Sequence, residues 1–284
     1  MDPKTLIDPA AGVFYFLFLA MSLAGVGIFV WRLRGKWLLL RRATPEDRFN
    51  RWGERVRATL VHVVAQARIL RDPATGLMHA FIFWGFCVLA IHTASLFLGT
   101  WIPGLDFERR LGAAYAWPKD LFIVLVALAV LWAVFRRAVL RPARVESSGE
   151  AYLVLGLILL LMLTDMGAEA ALHAAGVPTY GFLGAALGPL VAGWSGTGLR
   201  ALYAGSFWIQ AATILCFLNI LPGSKHFHVI TSLPNVFFRK LEPAGRLRTL
   251  NLEDENAESF GVAKAKELDW KVLLEVYYCT ECGR

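Results

Sequence analysis

The chain has 284 residues, of which 57% are hydrophobic and 18% charged, and a formal net charge of +7. That is far too apolar for a soluble domain. The basic residues flank apolar runs and do not line one groove, so the charge argues for membrane topology and against a nucleic-acid partner. Four cysteines make no disulfide framework. Cys87 and Cys216 lie inside apolar runs and read as small core residues, whereas Cys279 and Cys282 form a Cys-x-x-Cys on a polar tail.

Met1-Asp2-Pro3-Lys4 has no basic n-region or small-residue cleavage site, so the first apolar run is expected to be retained. That run, 11–31, has about 20 residues, enough to cross a bilayer. The segment from Arg32 to Asp72 is rich in arginine and is expected on the cytoplasmic side, which puts the N-terminus outside. Within it Ala58–Leu70 reads as an amphipathic surface helix with His62 solvated or interfacial. The second span, 77–98, runs outward. The connection from Gly99 to Lys119 carries Trp101, Trp117 and Pro118, which suit an interface belt. The third span, 120–135, returns to a basic segment at Arg136, Arg137, Arg141 and Arg144. The fourth, 151–173, goes out again, and the Gly-rich stretch 180–198 reads as an outer interfacial or re-entrant piece. The fifth, 200–221, ends at Pro222-Gly223 on the inner side.

Chemistry-bearing residues gather at the span ends. Ser224-Lys225-His226-Phe227-His228 sits where the fifth span meets water, and a neutral imidazole there offers a lone pair to a metal. His79 is expected at the same face; the plainer alternative is an interfacial histidine bonded to headgroups. His92 lies about 20 Å further along the second span and about 140° around it, so one helix face does not carry both. Asp165 and Glu169 are four residues apart and share a face. Intramembrane carboxylates are functional candidates, here for quinol proton transfer, unless they lie in the outer interface with Glu169 and His173 facing water. From Leu241 the composition is that of a soluble chain, with an acidic patch at Glu253, Asp254 and Glu255 and a helix expected over 263–276. The terminal Cys279 and Cys282 are ambiguous between zinc, thiol redox chemistry and an iron-sulfur cluster.

The run Leu221-Pro222-Gly223-Ser224-Lys225-His226-Phe227-His228-Val229-Ile230-Thr231, followed by Pro234-Asn235-Val236-Phe237-Phe238-Arg239, resembles a family of fused membrane proteins. These join a nitrate reductase gamma-like cytochrome b domain to a heterodisulfide reductase D-like iron-sulfur domain. Cys279-Thr280-Glu281-Cys282-Gly283-Arg284 resembles the start of their first ferredoxin motif. The resemblance implies an all-α membrane protein, a five-helix transmembrane bundle of gamma-like type over 1–240. Residues 241–284 would be a cytoplasmic linker and the beginning of a 4Fe-4S domain. It further implies a haem b held by His79 and His228. The second haem's positions fall on Leu89 and Gln210, which are not imidazoles, so one haem is expected; the alternative recruits His92 with His173. Helical spacing turns His226 away from the same iron, toward a haem propionate or lipid headgroups, with Arg71 and Lys225 as further propionate partners. Cys279 and Cys282 would be a partial 4Fe-4S ligand set.

By the same resemblance, the chain would pass electrons between cytoplasmic iron-sulfur clusters and menaquinone or another quinone. Its donor would be an electron-transferring flavoprotein or another cytoplasmic redox system, and its place a bacterial or archaeal inner membrane. The alternatives are a haem-free membrane anchor for an iron-sulfur oxidoreductase and a proton-coupled transporter.

Overall fold

The computed structural model describes residues 11–102, 105–143, 148–243 and 267–279, together with Glu253, Val262 and Lys264. Met1–Lys4, Arg144, Asp254, Glu255, Cys282 and the expected helix start at Ala263 lie outside the described residues.

Helix α1 spans Ala11–Arg42 and so continues well past the expected end at Trp31. The basic segment that follows Trp31 is mostly leucine, lysine and arginine, all good helix formers, and the helix stops only shortly before Pro45. Helix α2 covers Trp52–Thr59 and passes into a π-turn at Leu60–Val64. The left-handed Gln66 (φ 53°) then breaks the run, so the surface helix expected over 58–70 lies earlier in the chain. Helix α3, Pro73–Ala94, starts where Asp72 accepts from the Thr75 amide and Pro73 occupies the first turn. A π-turn at Ser95–Gly99 extends it.

The short α4, Phe107–Leu111, is capped by Asp106, and Gly112 (φ 55°) turns the chain directly into α5, Ala113–Phe135. The third span therefore begins seven residues before Asp120, and Trp117, Pro118 and Lys119 are helical, not part of a connection. The true break is the left-handed Gly112, a conformation that glycine adopts without penalty. Helix α6, Gly149–Ala174, is capped by Ser148. The expected interfacial piece contains α7, Leu183–Leu187, and a 3-10 turn at Gly188–Val191, both too short to cross a bilayer. Helix α8 is Gly196–Ile220. Beyond the turns Leu221–Gly223 and Lys225–Phe227 come α9, His228–Phe237, and α10, Trp270–Tyr278.

Five helices are long and apolar enough to cross a membrane: Val13–Arg42, Pro73–Gly99, Ala113–Leu140, Gly149–Ala174 and Gly196–Gly223. Their outward faces carry Leu23, Val30, Phe86, Leu128, Leu163 and Ile209, all well exposed, which lipid solvates and water does not. With no strand among the described residues beyond one isolated bridge, this is an all-α architecture of membrane type. Cys87 and Cys216 lie on exposed faces, contrary to the expectation that they fill the core.

Two compact units result: Met1–Gly27 with Ile69–Ile220, and Ile28–Arg68 with Leu221–Arg284. The core of the first joins Ile123, Val126, Val130 and Ala133 of α5 to Leu155 and Met162 of α6 and Leu183 of α7. Gly85 of α3 meets α5 so closely that a Cβ there would lie 2.2 Å from Val126 Cγ2. Small residues allow such backbone approach where lipid supplies no hydrophobic drive. Gly85→Val is expected to cost about 1–3 kcal/mol by forcing these helices apart. Thermal unfolding in detergent measures it, and an unchanged midpoint would refute the close packing.

In the second unit Arg55 of α2 is 2% exposed. Its guanidinium donates to the carbonyls of Asn50 (2.6 Å), Phe237 (3.1 Å) and Arg239 (2.9 Å) and to Asn50 Oδ1 (2.9 Å). Helix α10 is fastened to α9 by Lys271, whose Nζ donates to Asn235 Oδ1 (2.7 Å) and Glu275 Oε1 (2.6 Å). The Trp270 indole donates to the Glu46 carbonyl (2.9 Å), and the Thr44 amide to the Leu268 carbonyl (3.0 Å).

Candidate functional site: a buried charge cluster in the first unit

Five elements of the first unit deliver polar side chains to one place. The last turn of α3 supplies His92, α4 supplies Glu108, the second turn of α5 supplies Lys119 and Asp120, α6 supplies Asp165 and Glu169, and α8 supplies Gln210. The local chain fixes α4 there. The Phe107 amide donates to Ser95 Oγ (3.0 Å), and the Arg109 amide donates to the Asp106 cap (3.1 Å). Tyr115, just beyond Gly112, donates its hydroxyl to the Val88 carbonyl of α3 (2.8 Å).

Lys119 is the cluster's permanent cation and is only 1% exposed. Its Nζ donates to Glu108 Oε1 and to Glu169 Oε1 (2.6 Å), and lies 3.8 Å from Asp120 Oδ1. A buried charge in a membrane-spanning helix is expensive, and paired carboxylates are what make it tolerable. Asp120 is fully buried: Oδ2 accepts from the Leu183 amide of α7 (2.8 Å), and Oδ1 has no hydrogen-bond partner among the described residues. On the other side of Glu108 stands His92. Its Nδ1 is 2.9 Å from Glu108 Oε2 and its Nε2 is 3.0 Å from Asp165 Oδ1. Gln210 Nε2 also donates to Asp165 Oδ1 (2.8 Å). Each of the two contacts between imidazole and carboxylate needs a proton, so the triad Glu108–His92–Asp165 holds two exchangeable protons.

Glu108 lies outside the spans. Burial opposes its ionisation, but the hydrogen bonds and charges of His92 and Lys119 outweigh that and hold its carboxyl at about 2. Four carboxyl groups face one lysine and one imidazole, so the cluster is anionic when all are ionised.

Of the residues singled out in the sequence, Asp165 and Glu169 are thus in one cluster and are enclosed, not facing water. His173 is instead paired with Thr179 Oγ1 (3.2 Å). Both ring nitrogens of His92 are engaged by carboxylates, so the structure does not offer it with His173 as ligands of a second haem. Leu89 packs against the apolar core and Gln210 is bonded to Asp165. Glu108, Lys119 and Asp120 escaped the sequence reading. Lys119 was assigned to an interface connection, and the signal that could have found it is a Lys-Asp pair inside an otherwise apolar helix.

The remaining candidates are described unit by unit. His79 is half-buried in the second turn of α3, and Arg71 is exposed in the turn Ile69–Arg71 before it. In the second unit, His226 belongs to the 3-10 turn Lys225–Phe227 and His228 opens α9, so no regular helix relates them. Their rings are 6.2 Å apart at 41°. Lys225 is half-buried and offers its carbonyl 3.0 Å from His228 Nδ1. That contact makes Nδ1 the protonated nitrogen. Burial pushes the His228 imidazole below its ordinary value, opposed by the Lys225 carbonyl. A neutral imidazole is the form that can donate a lone pair to a metal. Cys279 is an exposed thiol directly after α10. No group of three or more His, Cys, Asp or Glu among the described residues could hold a metal ion by itself.

The fold and the cluster define an all-α chain of membrane type with a buried charge cluster among its helices. No family model matches the chain, and no solved structure matches it. Among curated proteins it is 29% identical over 272 residues to "Probable iron-sulfur-binding oxidoreductase FadF" of Bacillus subtilis (strain 168), covering 94% of this chain and 39% of that protein. It is 27% identical over 286 residues to "EtfAB:quinone oxidoreductase" of Syntrophomonas wolfei, covering 95% of this chain and 39% of that protein. The chain is thus related to iron-sulfur oxidoreductases, and it spans about two fifths of the length of these curated relatives.

Proposed function

We propose that this chain is the membrane part of a quinone-linked iron-sulfur oxidoreductase, carrying electrons between iron-sulfur clusters on the cytoplasmic side and a quinone in the bilayer. The observation that carries the reading is similarity along nearly the whole chain to two proteins named as an iron-sulfur-binding oxidoreductase and an EtfAB:quinone oxidoreductase. An electron-transferring flavoprotein is the corresponding proposed partner, and menaquinone a proposed substrate. The arginine-rich span ends support an orientation with the N-terminus outside and the C-terminal tail in the cytoplasm, and the proposed place is a bacterial or archaeal inner membrane. The gamma-like five-helix arrangement belongs to the same proposal.

In this reading His79 and His228 would hold one haem b, His228 through Nε2, with Arg71, Lys225 and His226 near its propionates. The haem would supply one-electron transfer. Cys279, with Cys282, would contribute to a 4Fe-4S cluster, which also accepts and donates single electrons. The chain's own residues do the remaining work. Asp165 and Glu169 would exchange the quinol protons, while Lys119 holds Glu169 in place.

A pyridine haemochrome assay on the purified protein, with reduced-minus-oxidised spectra, tests this. About one haem b per chain is expected, with loss of the haem in both His79→Ala and His228→Ala. Absence of haem together with reduction of the clusters by quinol would leave a haem-free anchor. A folded protein with no visible absorption would leave the proton-coupled transporter, which the buried cluster also suits.

A further inference from the structure

We propose that Glu108 and His92 form the proton route between water at the Gly99–Gly112 connection and the quinone-reacting carboxylate Asp165. The proposal rests on the quinone-linked reading above. Two hydrogen bonds in series make the route, Glu108 Oε2 to His92 Nδ1 and His92 Nε2 to Asp165 Oδ1, and Gln210 Nε2 steadies its inner end by donating to the same Asp165 oxygen. Side-chain exposure falls along it, from 21% at Glu108 and 18% at His92 to 5% at Asp165. The outermost group therefore reaches water and the innermost does not.

The chemistry of each position fits. An imidazole bonded through both nitrogens accepts a proton on one and releases one from the other, whereas Lys119, a donor only, serves as fixed countercharge to Glu108 and Glu169. Asp120 adds a third carboxylate beside Lys119, its Oδ1 lying 3.8 Å from Nζ without a hydrogen bond. Among the described residues, Tyr115, Tyr203 and Asp106 also belong to the electrostatic surroundings of these carboxylates.

The step balances. Quinol loses two O–H protons and two electrons and becomes quinone. The electrons pass one at a time to the protein's iron-sulfur or haem centres. The protons pass in turn to Asp165, through His92 to Glu108, and out; the reverse sequence reduces quinone.

The test uses the purified protein with its native redox centres and follows their reduction by menadiol in stopped flow. His92→Ala and the isosteric Glu108→Gln are each expected to lower the maximal rate about 100-fold, the usual worth of a positioned acid-base group, with KM little changed. Imidazole in solution is expected to restore His92→Ala, increasingly as pH rises and the neutral base predominates, and to leave Glu108→Gln slow. A purely structural role for His92 gives no such pH-dependent rescue. Wild-type rates in Glu108→Gln, or a slow His92→Ala untouched by imidazole, overturn the route. If His92→Ala does not assemble, Glu108→Gln decides alone. Wild-type protein whose centres menadiol fails to reduce would remove the quinone reading itself, a result distinct from loss of the route.

Discussion

Lys119→Met is expected to destabilise the protein by about 3–5 kcal/mol, the range for breaking a buried ion pair by removing one partner. The substitution preserves length and apolar bulk, so lost packing contributes little. What it removes is the cation that holds Glu108 and Glu169 together inside the first unit. Each carboxylate then stays buried with an uncompensated charge or takes up a proton. The cost should therefore be largely recovered by the triple change Lys119→Met, Glu108→Gln, Glu169→Gln, which makes the lysine and the two carboxylates bonded to it neutral together. Thermal unfolding in detergent at neutral pH reads both effects. A loss below about 1 kcal/mol, typical of an exposed pair, would show that water reaches the lysine and that the cluster is not the closed centre described.

Arg55→Met is the second large effect, at about 3–5 kcal/mol, and its interest is where the damage falls. The guanidinium satisfies the Phe237 and Arg239 carbonyls at the C-terminal end of α9, where a helix leaves acceptors without internal partners. Hydrogen bonds to a charged group contribute about 1.5–3 kcal/mol each, and buried acceptors left alone add their desolvation. The aromatic contacts Trp52–Phe237 and Phe49–Phe238, both with centroids 5.2 Å apart, remain in the variant. Amide hydrogen exchange should accordingly rise across His228–Phe237 without global unfolding. Unchanged protection there would mean that the aromatic contacts suffice. Because His228 begins this helix, the variant should also loosen the proposed iron ligand without touching it.

The five spans were legible because each is a long apolar run, and two of their starts were written in the chain as Asp72-Pro73 and Ser148. The start of α5 was misread for a physical reason: proline is the stronger sequence marker, but Gly112 adopts the left-handed turn and Pro118 sits inside the helix. That error moved Lys119 into a connection and hid the cation around which the carboxylates gather. Asp165 and Glu169 were visible through their i, i+4 spacing alone. Their partners were not, since His92, Glu108 and Gln210 arrive from helices whose packing no local pattern encodes. His92 in particular is ambiguous in sequence, because an imidazole serves equally as an iron ligand or a proton carrier until its neighbours are known. The relation of His226 to His228 was misjudged by treating them as one helix, when Pro222-Gly223 starts two turns and a fresh helix.

The fastening of α10 decides what positions Cys279. A thiol on a flexible tether of n residues would wander over a root-mean-square distance of about 5–6 Å × √n. Its mean separation from any redox partner would then be a property of the tether. With Trp270 bonded to Glu46 and Lys271 to Asn235, Cys279 occupies one position relative to α9 in the second unit, whatever lies between. Tunnelling rates fall exponentially with distance, so a donor and acceptor mounted on such a splint exchange electrons at a rate fixed by geometry.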